Sequence, residues 1–350
     1  GFLIPDSPKM IYDIFIPADS FNSAADGEKV IVEITDWPKK GKNPKGKIVE
    51  VLGKSGDNEV EMHAILTEFG LPYKFEDNIE IEAGKISDKI TQYDMEIRED
   101  FRNIPTFTID PEDAKDFDDA LSLIKLDNGN YQVGIHIADV TNYITENSEL
   151  DKEAYNRATS VYLVDRVVPM FPERLSNFLC SLRPGEDKLC FSVILEMNEN
   201  ADLIDSRIVK TIINSDKRFS YEQAQNILDN ESGEMYYELS VLNNLAKMLR
   251  SKRFKKGAFN FENFEIKFML DGNSVPTGVY FKEAHDSNYL IEEFMLMANK
   301  VVAEEIGKKR KDMDFVYRVH SKPNEDKLNS FSGFIKKFGY EIDISDNIKL

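Results

Sequence analysis

The sequence predicts an α+β protein in which a small all-β barrel precedes a helical connector and a long region of mixed structure. Three patterns indicate this order. Short β-branched segments separated by turn residues fill residues 1–54, helical patterning occupies residues 55–97, and both kinds of segment alternate in residues 98–350. A chain of 350 residues is long enough for several domains.

Four segments at the start of the chain have the composition of strands. They lie at residues 1–4, 12–16, 30–34 and 46–51. Pro, Gly and Asn residues cluster between them, as the tight turns of a small barrel require. We therefore expect a barrel of the oligonucleotide-binding type that lacks its opening strand.

The charge of the chain bears on its possible partners. The chain has 44 basic and 63 acidic side chains, so its formal net charge of −19 has the wrong sign for binding nucleic acid by bulk electrostatics. Two segments, residues 39–47 and 247–256, contain several Lys or Arg and no acid. Each could be a nucleic-acid contact or an ordinary solvated surface, and the sequence does not decide between them.

Two classes of protein are disfavoured by composition. The sequence has no stretch that approaches the roughly 18 apolar residues of a membrane span, so no membrane association is expected. Cys180 and Cys190 have no histidines near them at zinc-ligand spacing. Two cysteines in so long a chain are typical of buried thiols in a reducing cytoplasm, where we expect this protein to be.

A β-hairpin is predicted in the long region. Strand-like segments at residues 120–126 and 131–138 flank an Asn128-Gly129 pair, which favours a two-residue type I′ turn. With those two residues as the loop, paired residue numbers add to 257 and Asp118 lies opposite Asp139. Asp139 would then orient the acidic residues that precede the hairpin.

Those acidic residues form a dense group at residues 110–119. Asp110, Asp116, Asp118 and Asp119 together need a neutralising cation if they pack closely, and hard oxygen ligands suit Mg²⁺, with Mn²⁺ as the alternative. A helix-loop-helix calcium site is excluded because its Gly and its final Glu are absent. The alternative is a solvated acidic turn.

A late helical segment also places an acid at an unusual position. Glu293 borders the apolar face of the helical wheel, whereas Glu292 lies opposite that face and should be exposed. A carboxylate in the position of Glu293 is either partnered or functional.

Several blocks resemble the ribonuclease II/R family, and the ribonuclease R type more than the ribonuclease II type. In order, they are DPEDAKDFDD (110–119), GIHIADV (134–140), TSVYL (159–163), VPMFPERLS (168–176), LCSL (179–182), KGA (256–258), His285, LIEEFM (290–295) and YRVH (317–320). The first domain, with DIFIP at 13–17, is similar to that family's cold-shock-type domain. The resemblance covers essentially the whole chain.

The resemblance implies a processive, hydrolytic 3′-to-5′ exoribonuclease that degrades single-stranded RNA to nucleoside 5′-monophosphates. Asp110, Asp116 and Asp119 would hold Mg²⁺, and Asp118 would be the catalytic carboxylate. Glu293 would lie close to the last nucleotides. Tyr162 and Phe261 would stack on the terminal bases, unless each is simply a core aromatic.

The family pattern continues beyond Leu350, where an arginine binds the scissile phosphate. No such segment occurs here, so we expect an incomplete catalytic domain at residues 98–350 and weak or no activity for this part alone. A monomer without a small-molecule cofactor is expected. Two alternatives are a non-catalytic RNA-binding relative and a different magnesium-dependent phosphohydrolase.

Overall fold

The computed structural model describes residues 1–38, 43–259, 265–272, 274–309, 314–319 and 321–342. The chain divides into two compact units, Gly1–Ala298 and Asn299–Leu350. The second unit contains the short helix α8 (Glu325–Lys336), whose first turn is capped by the Asn324 side chain. All the strands that the structure describes, and the candidate site, lie in the first unit.

The chain begins with a four-stranded sheet. Its strands are β1 (Phe2–Leu3), β2 (Ile14–Phe15), β3 (Glu28–Asp36) and β4 (Lys45–Lys54), in the order β1-β2-β4-β3. All four predicted strand segments are therefore confirmed. Residue 46 of β4 must be glycine, because a Cβ on Gly46 would lie only 2.5 Å from a methyl group of Val32 on the neighbouring strand β3. Ile14 and Ile16 form the buried side of this sheet.

Three short helices form the connector, as the sequence predicts. They are α1 (Asn58–Glu68), α2 (Asp77–Lys85) and α3 (Gln92–Glu96). Ile79 and Ala83 of α2 are buried in the main core. Thr91 begins α3 with a capping box, in which the Thr91 and Asp94 side chains each accept the other's backbone N–H. The connector is thus packed against the following domain.

A seven-stranded sheet is the centre of the unit. Its strands are β5 (Glu99–Asp100), β6 (Thr106–Asp110), β7 (Asp119–Lys125), β8 (Tyr131–Ala138), β11 (Asp187–Met197), β12 (Leu203–Asn214) and β13 (Lys217–Ser220). Their order is β13-β6-β7-β8-β11-β12-β5, and only the two edge strands β13 and β5 pair in parallel with their neighbours. Every residue of β6 is buried, since both faces of the sheet are covered there.

The hairpin formed by β7 and β8 has a different loop from the one predicted. Paired residue numbers add to 256, as in Asp119 with Ile137, and the loop has three residues. The Gly129 N–H donates to the Leu126 carbonyl at 3.0 Å, and Gly129 then takes φ +85°. This is a type I turn followed by a left-handed glycine, the usual three-residue alternative. The predicted register was wrong by one residue, and Asp118 faces Ala138 rather than Asp139.

Further helices and two further hairpins lie outside this sheet. The helices are α4 (Glu149–Arg157), α5 (Tyr221–Asp229), α6 (Tyr236–Lys255) and α7 (Asp286–Glu304), and the two hairpins are β9 (Val161–Tyr162) with β10 (Val167–Val168) and β14 (Glu265–Leu270) with β15 (Pro276–Lys282). Leu290 and Phe294 of α7 are fully buried, as its apolar face predicts. Cys180 and Cys190 are free and buried, so the prediction of core thiols is confirmed.

None of the helices in the described ranges is both long enough and apolar enough to cross a bilayer.

Candidate active site

Four aspartates lie at one end of the central sheet because two neighbouring strands turn there. Asp110 is the last residue of β6, and Asp119 is the first residue of β7. The two strands are antiparallel, with Thr106 opposite Ser122, so the loop between them returns the chain to the same edge. Asp116 and Asp118 lie in the last part of that loop.

Three of these carboxyl groups are strongly perturbed. Asp110 is only 7% exposed, and burial, reinforced by the charges of Asp118 and Asp116, raises its pKa to about 6. Burial and Asp116 raise the pKa of Asp118 to about 6, and burial with Asp110 and Asp118 raises that of Asp119 to about 7. Each group therefore feels the charge of at least one other. Such mutually perturbed carboxylates are typical of functional sites.

Two carboxylate oxygens of this group have no hydrogen-bond partner. Asp110 Oδ2 and Asp119 Oδ2 are both buried and unpaired within the described part of the chain. Buried polar atoms nearly always have partners, so two orphaned acceptors on neighbouring strands call for a donor or a cation. The set as a whole offers hard oxygen atoms, which suit Mg²⁺ or Mn²⁺.

The convergence of all four carboxylates on one bound cation stays a prediction. Across the described residues, no three Asp, Glu, His or Cys side chains are arranged as a ready metal-binding group. One reason is that Asp116 has another partner, since the Tyr162 hydroxyl donates to Asp116 Oδ2 at 3.2 Å. The aspartates influence one another's pKa values through their charges, but within the described residues their oxygens do not form a completed ligand shell.

Arg218 is a residue of this site that sequence reasoning missed. It lies on β13, whose parallel pairing with β6 sets Arg218 beside Thr108. Its Nη2 donates to the backbone carbonyls of Pro111 and Glu112, and its charge favours the ionised form of Asp110. No local sequence signal could have shown that two strands more than a hundred residues apart are neighbours.

Tyr221 was missed for the same reason. It begins α5 directly after Ser220, which pairs with Asp110 across β13 and β6. Burial, together with the charges of Asp119 and Asp110, raises the pKa of Tyr221 to about 12. Its hydroxyl group is thus protonated at neutral pH and belongs to the surroundings of the acidic group.

Glu293 has the buried position that the helical wheel predicts, and it is partnered. Only 3% of its side chain is exposed, and Arg253 of α6 donates to its Oε1 from Nε at 3.1 Å and from Nη2 at 2.5 Å. Glu292 also contacts Arg253, at 2.9 Å, but 47% of its side chain is exposed, which confirms that prediction. The basic partner in residues 247–256 had not been anticipated.

Asp139 has partners different from those that the predicted register implied. Its Oδ2 lies 2.6 Å from Arg98 Nη2 and 3.5 Å from Lys210 Nζ, and the Thr141 hydroxyl donates to its Oδ1. These contacts commit the carboxylate to a buried ion pair. The predicted place of Asp139, opposite Asp118 and orienting the acidic group, was wrong because the hairpin register is shifted.

Comparison with known proteins identifies the fold. A family model described as the RNB domain matches residues 98–349. The chain belongs to the RNB domain family. A cold-shock domain model matches residues 2–76. The predicted α+β fold class, with a cold-shock-type domain ahead of a ribonuclease II-type domain, is confirmed, and so is the resemblance to the ribonuclease II/R family.

Individual RNB proteins agree with this assignment. The chain is 38% identical to ribonuclease R of Thermotoga maritima over 356 residues, which cover 99% of this chain and 50% of that protein. The solved structure of Mycoplasma genitalium RNase R with double-stranded RNA matches with a TM-score of 0.91 at 26% identity, covering 99% of this chain and 64% of that one. Yeast Ssd1, described as a pseudonuclease, matches in fold with a TM-score of 0.73 at 22% identity, covering 98% of this chain and 44% of that one. The chain spans about half the length of the curated relatives it matches.

Of the two aromatic residues assigned to base stacking in this RNB domain, the structure describes one. Tyr162 is 65% exposed on β9, so it is not a core aromatic, and its hydroxyl group contacts the acidic loop. Phe261 lies outside the described residues. Stacking by either residue remains a prediction.

The basic segments of this RNB chain are partly neutralised by acids. Lys247 pairs with Asp286 at 2.6 Å, Lys252 pairs with Asp202 at 2.7 Å, and Arg253 is held by Glu293. This favours the interpretation of residues 247–256 as an ion-paired surface. In the other segment Lys47 pairs with Glu33 at 2.8 Å, while residues 39–42 lie outside the described part.

Proposed function

We propose that this chain carries the catalytic centre of a hydrolytic, processive 3′-to-5′ exoribonuclease that degrades single-stranded RNA to nucleoside 5′-monophosphates. One observation carries the proposal. In an RNB domain, Asp110, Asp118 and Asp119 lie together at one sheet edge with pKa values raised to about 6 or 7, and Asp110 is buried while Asp119 is half-buried. Holding like charges close together in a partly buried place is unfavourable, so the arrangement is best explained by the binding of a cation during phosphodiester chemistry.

The residues fit a divalent cation chemically. Asp110 and Asp119 each present a buried oxygen without a hydrogen-bond partner, and Asp116 adds a third carboxylate in the same loop. We propose that these three aspartates hold Mg²⁺, with Mn²⁺ as the alternative. The ion would supply charge neutralisation and Lewis acidity toward the scissile phosphate.

The other proposed roles are supported by the positions of the side chains. Asp118 lies between the proposed metal-binding residues in the chain and is proposed as the catalytic carboxylate, close to the terminal ribose. The exposed ring of Tyr162 offers a face for a base, and stacking tolerates any base identity. Glu293, which Arg253 holds rigidly, is proposed to contact the last nucleotides.

We also propose that the protein acts as a cytoplasmic monomer without a small-molecule cofactor. The support for the compartment is that both cysteines are buried free thiols, as is usual where the medium is reducing. Single-stranded RNA is the proposed partner because buried Asp110 and half-buried Asp119 are less accessible to a rigid duplex than to a flexible single strand.

The test is product analysis with the full-length protein. A single-stranded RNA with a 5′ label is incubated with Mg²⁺, and the same RNA with a 3′-terminal label is run in parallel. We expect the 3′ label to appear at once as a mononucleotide, while the 5′-labelled strand shortens without long-lived intermediates. Release of the 5′ label first, or internal cuts, would contradict the proposal.

One alternative is supported by a specific observation. The fold is shared with a protein described as a pseudonuclease, so the fold alone does not imply hydrolysis. All four aspartates are present in this chain, which favours the enzyme. Binding of the labelled RNA without any decay in Mg²⁺ or Mn²⁺ would favour the non-catalytic relative.

A further inference from the structure

Arg218 bridges the two ends of the acidic loop. At the start of the loop, its Nη2 donates to the carbonyl oxygens of Pro111 and Glu112, the two residues that follow Asp110. At the end of the loop, its guanidinium carbon lies 5.4 Å from the centre of the Phe117 ring, and Phe117 directly precedes Asp118. One side chain from β13 therefore contacts both segments that carry the perturbed aspartates.

The loop needs such a bridge because of its composition. Residues 111–118 contain four acids, Glu112, Asp113, Asp116 and Asp118, and one base, Lys115. Repulsion among these charges and Asp110 favours an open loop. A guanidinium group suits this place because it always carries a charge and offers several donors in a fixed plane.

A role in packing alone does not explain the position of Arg218. Its Nε is buried and has no hydrogen-bond partner among the residues that the structure describes. An arginine on an edge strand could turn outward and hydrate all of its donors. Here the Nε donor stays unpaired within the described residues, while Nη2 donates to two carbonyl groups of the acidic loop.

We propose that Arg218 is a positioning residue, which keeps the loop after Asp110 folded back so that Asp110, Asp116 and Asp119 can share a divalent cation. The proposal rests on the metal-dependent function proposed above. It assigns Arg218 no contact with RNA or with the reacting atoms. Its effect should appear as a change in metal affinity.

The test compares Arg218→Met and Arg218→Lys with a matched control in the full-length protein. Arg157 offers the control because it also donates to backbone carbonyls, those of Pro72 at 2.9 Å, Lys74 at 2.7 Å and Pro169 at 3.2 Å, and lies over the Phe75 ring. Arg157 is the last residue of α4, and the Pro72 and Lys74 carbonyls belong to the connector between α1 and α2. Arg157→Lys therefore measures the effect of weakening a similar set of arginine contacts away from the acidic loop.

Three quantities are measured for each protein. They are the Mn²⁺ dissociation constant by calorimetry without RNA, the Mg²⁺ concentration that gives half the maximal rate, and the thermal midpoint in a chelator. We expect Arg218→Met to weaken Mn²⁺ binding and to raise the half-saturating Mg²⁺ concentration, each by roughly 10–100-fold, as for other residues that orient metal ligands. Arg218→Lys should lie between, because one ammonium group can keep only part of the contacts.

The outcomes separate the two proposals. If Arg218→Met or, where that variant does not fold, Arg218→Lys binds Mn²⁺ as tightly as the unchanged protein, the positioning role is wrong while the proposed function stands. A similar loss of affinity in Arg157→Lys would also overturn the role, since any loosened loop would then suffice. If the unchanged protein neither binds Mn²⁺ nor degrades RNA, the proposed function itself fails.

Discussion

Arg98 and Asp139 form an ion pair that the protein hides from solvent. Nη2 of Arg98 lies 2.6 Å from Oδ2 of Asp139, and the side chains are 0% and 2% exposed. Burial acts to raise the pKa of Asp139, but hydrogen bonds from Arg98 and Thr141 outweigh burial and lower it below its usual value. Arg98 also donates to the Cys190 carbonyl at 3.1 Å. The pair thus joins the segment before β5 to β8 and β11.

We expect Asp139→Ala to lower the free energy of unfolding by about 3–5 kcal/mol, because it leaves Arg98 buried without its partner. The affinity for Mn²⁺ should not change, contrary to what the predicted hairpin register implied. Urea unfolding at pH 7 measures the first quantity and calorimetry measures the second. Glu99→Ala is the control, since its pair with Arg207 is about half exposed and should contribute less than about 1 kcal/mol. Equal losses in both variants would contradict the prediction.

The acidic group should make the protein less stable as the pH rises. This is the opposite of the effect of Asp139, whose pKa is lowered by folding. The folded-state pKa values of Asp110, Asp118 and Asp119, about 6, 6 and 7, lie above the roughly 3.9 of an unfolded aspartate. The folded protein therefore binds more protons between pH 4 and 7, so this contribution is full below about pH 4 and is lost as the pH rises through 6–7.

In a chelator, we expect the free energy of unfolding of the unchanged protein, relative to that of Asp119→Asn, to fall between about pH 4.5 and pH 7.5. The amide of the variant does not titrate, so the difference isolates the group from the other acids. Urea unfolding at several pH values measures it, and Mg²⁺ should reduce the slope. A constant difference across this range would show that Asp119 is not perturbed.

Glu292 and Glu293 provide a comparison between adjacent carboxylates. Both contact Arg253, but the Glu293 side chain is 3% exposed and that of Glu292 is 47% exposed. We expect Glu293→Gln to cost about 1–3 kcal/mol of unfolding free energy, because a buried charge-assisted contact is lost. Glu292→Gln should stay within about 0.5 kcal/mol of the unchanged protein. Denaturant unfolding of the two variants is the measurement, and a reversed order would contradict this account of Arg253.

The sequence predicted features that depend on neighbouring residues better than features that depend on residues far apart in the chain. Short-range patterns sufficed for the strands of the first domain, the connector helices and the exposure of Glu292. They failed at the hairpin loop, because Asp127, Asn128 and Gly129 fit both a two-residue and a three-residue turn. One residue of difference there moved Asp139 away from its predicted place opposite Asp118.

The residues of the candidate site show the same difference between local and long-range features. The aspartates could be named because they lie within ten residues and precede a recognisable hairpin. Arg218 and Tyr221 could not be named, because their position depends on the parallel pairing of β13 with β6, and that pairing leaves no local pattern. The Arg98–Asp139 ion pair could not be predicted either, because the two residues are 41 positions apart in the chain.

Tyr162 permits a test of base stacking that separates its ring from its hydroxyl group. Tyr162→Ala should weaken binding of single-stranded RNA by roughly 1–3 kcal/mol, the usual contribution of one stacked base. Tyr162→Phe keeps the ring and loses only the contact with Asp116, so its RNA affinity should stay close to that of the unchanged protein. Affinities are measured in a chelator, which prevents decay.

The control for this test is Tyr155→Ala on α4. Tyr155 is 86% exposed and is not assigned to the site, so its removal should leave RNA affinity unchanged. A loss in Tyr162→Phe as large as that in Tyr162→Ala would mean that the hydroxyl group, rather than the ring, supports RNA binding.

The last prediction concerns Asp118, the proposed catalytic carboxylate. Asp118→Asn keeps the size and hydrogen-bonding capacity of the side chain but removes its charge, so it should abolish hydrolysis in the full-length protein. RNA binding should be spared or slightly strengthened, because one negative charge near the phosphates is gone. Decay of labelled RNA in Mg²⁺ and binding in a chelator give the two readouts. Asp113→Asn is the matched control in the same loop, since Asp113 is exposed and lies outside the perturbed group. Should Asp118→Asn lose RNA binding together with hydrolysis, or should Asp113→Asn be equally inactive, the assignment of Asp118 to the chemical step would be wrong.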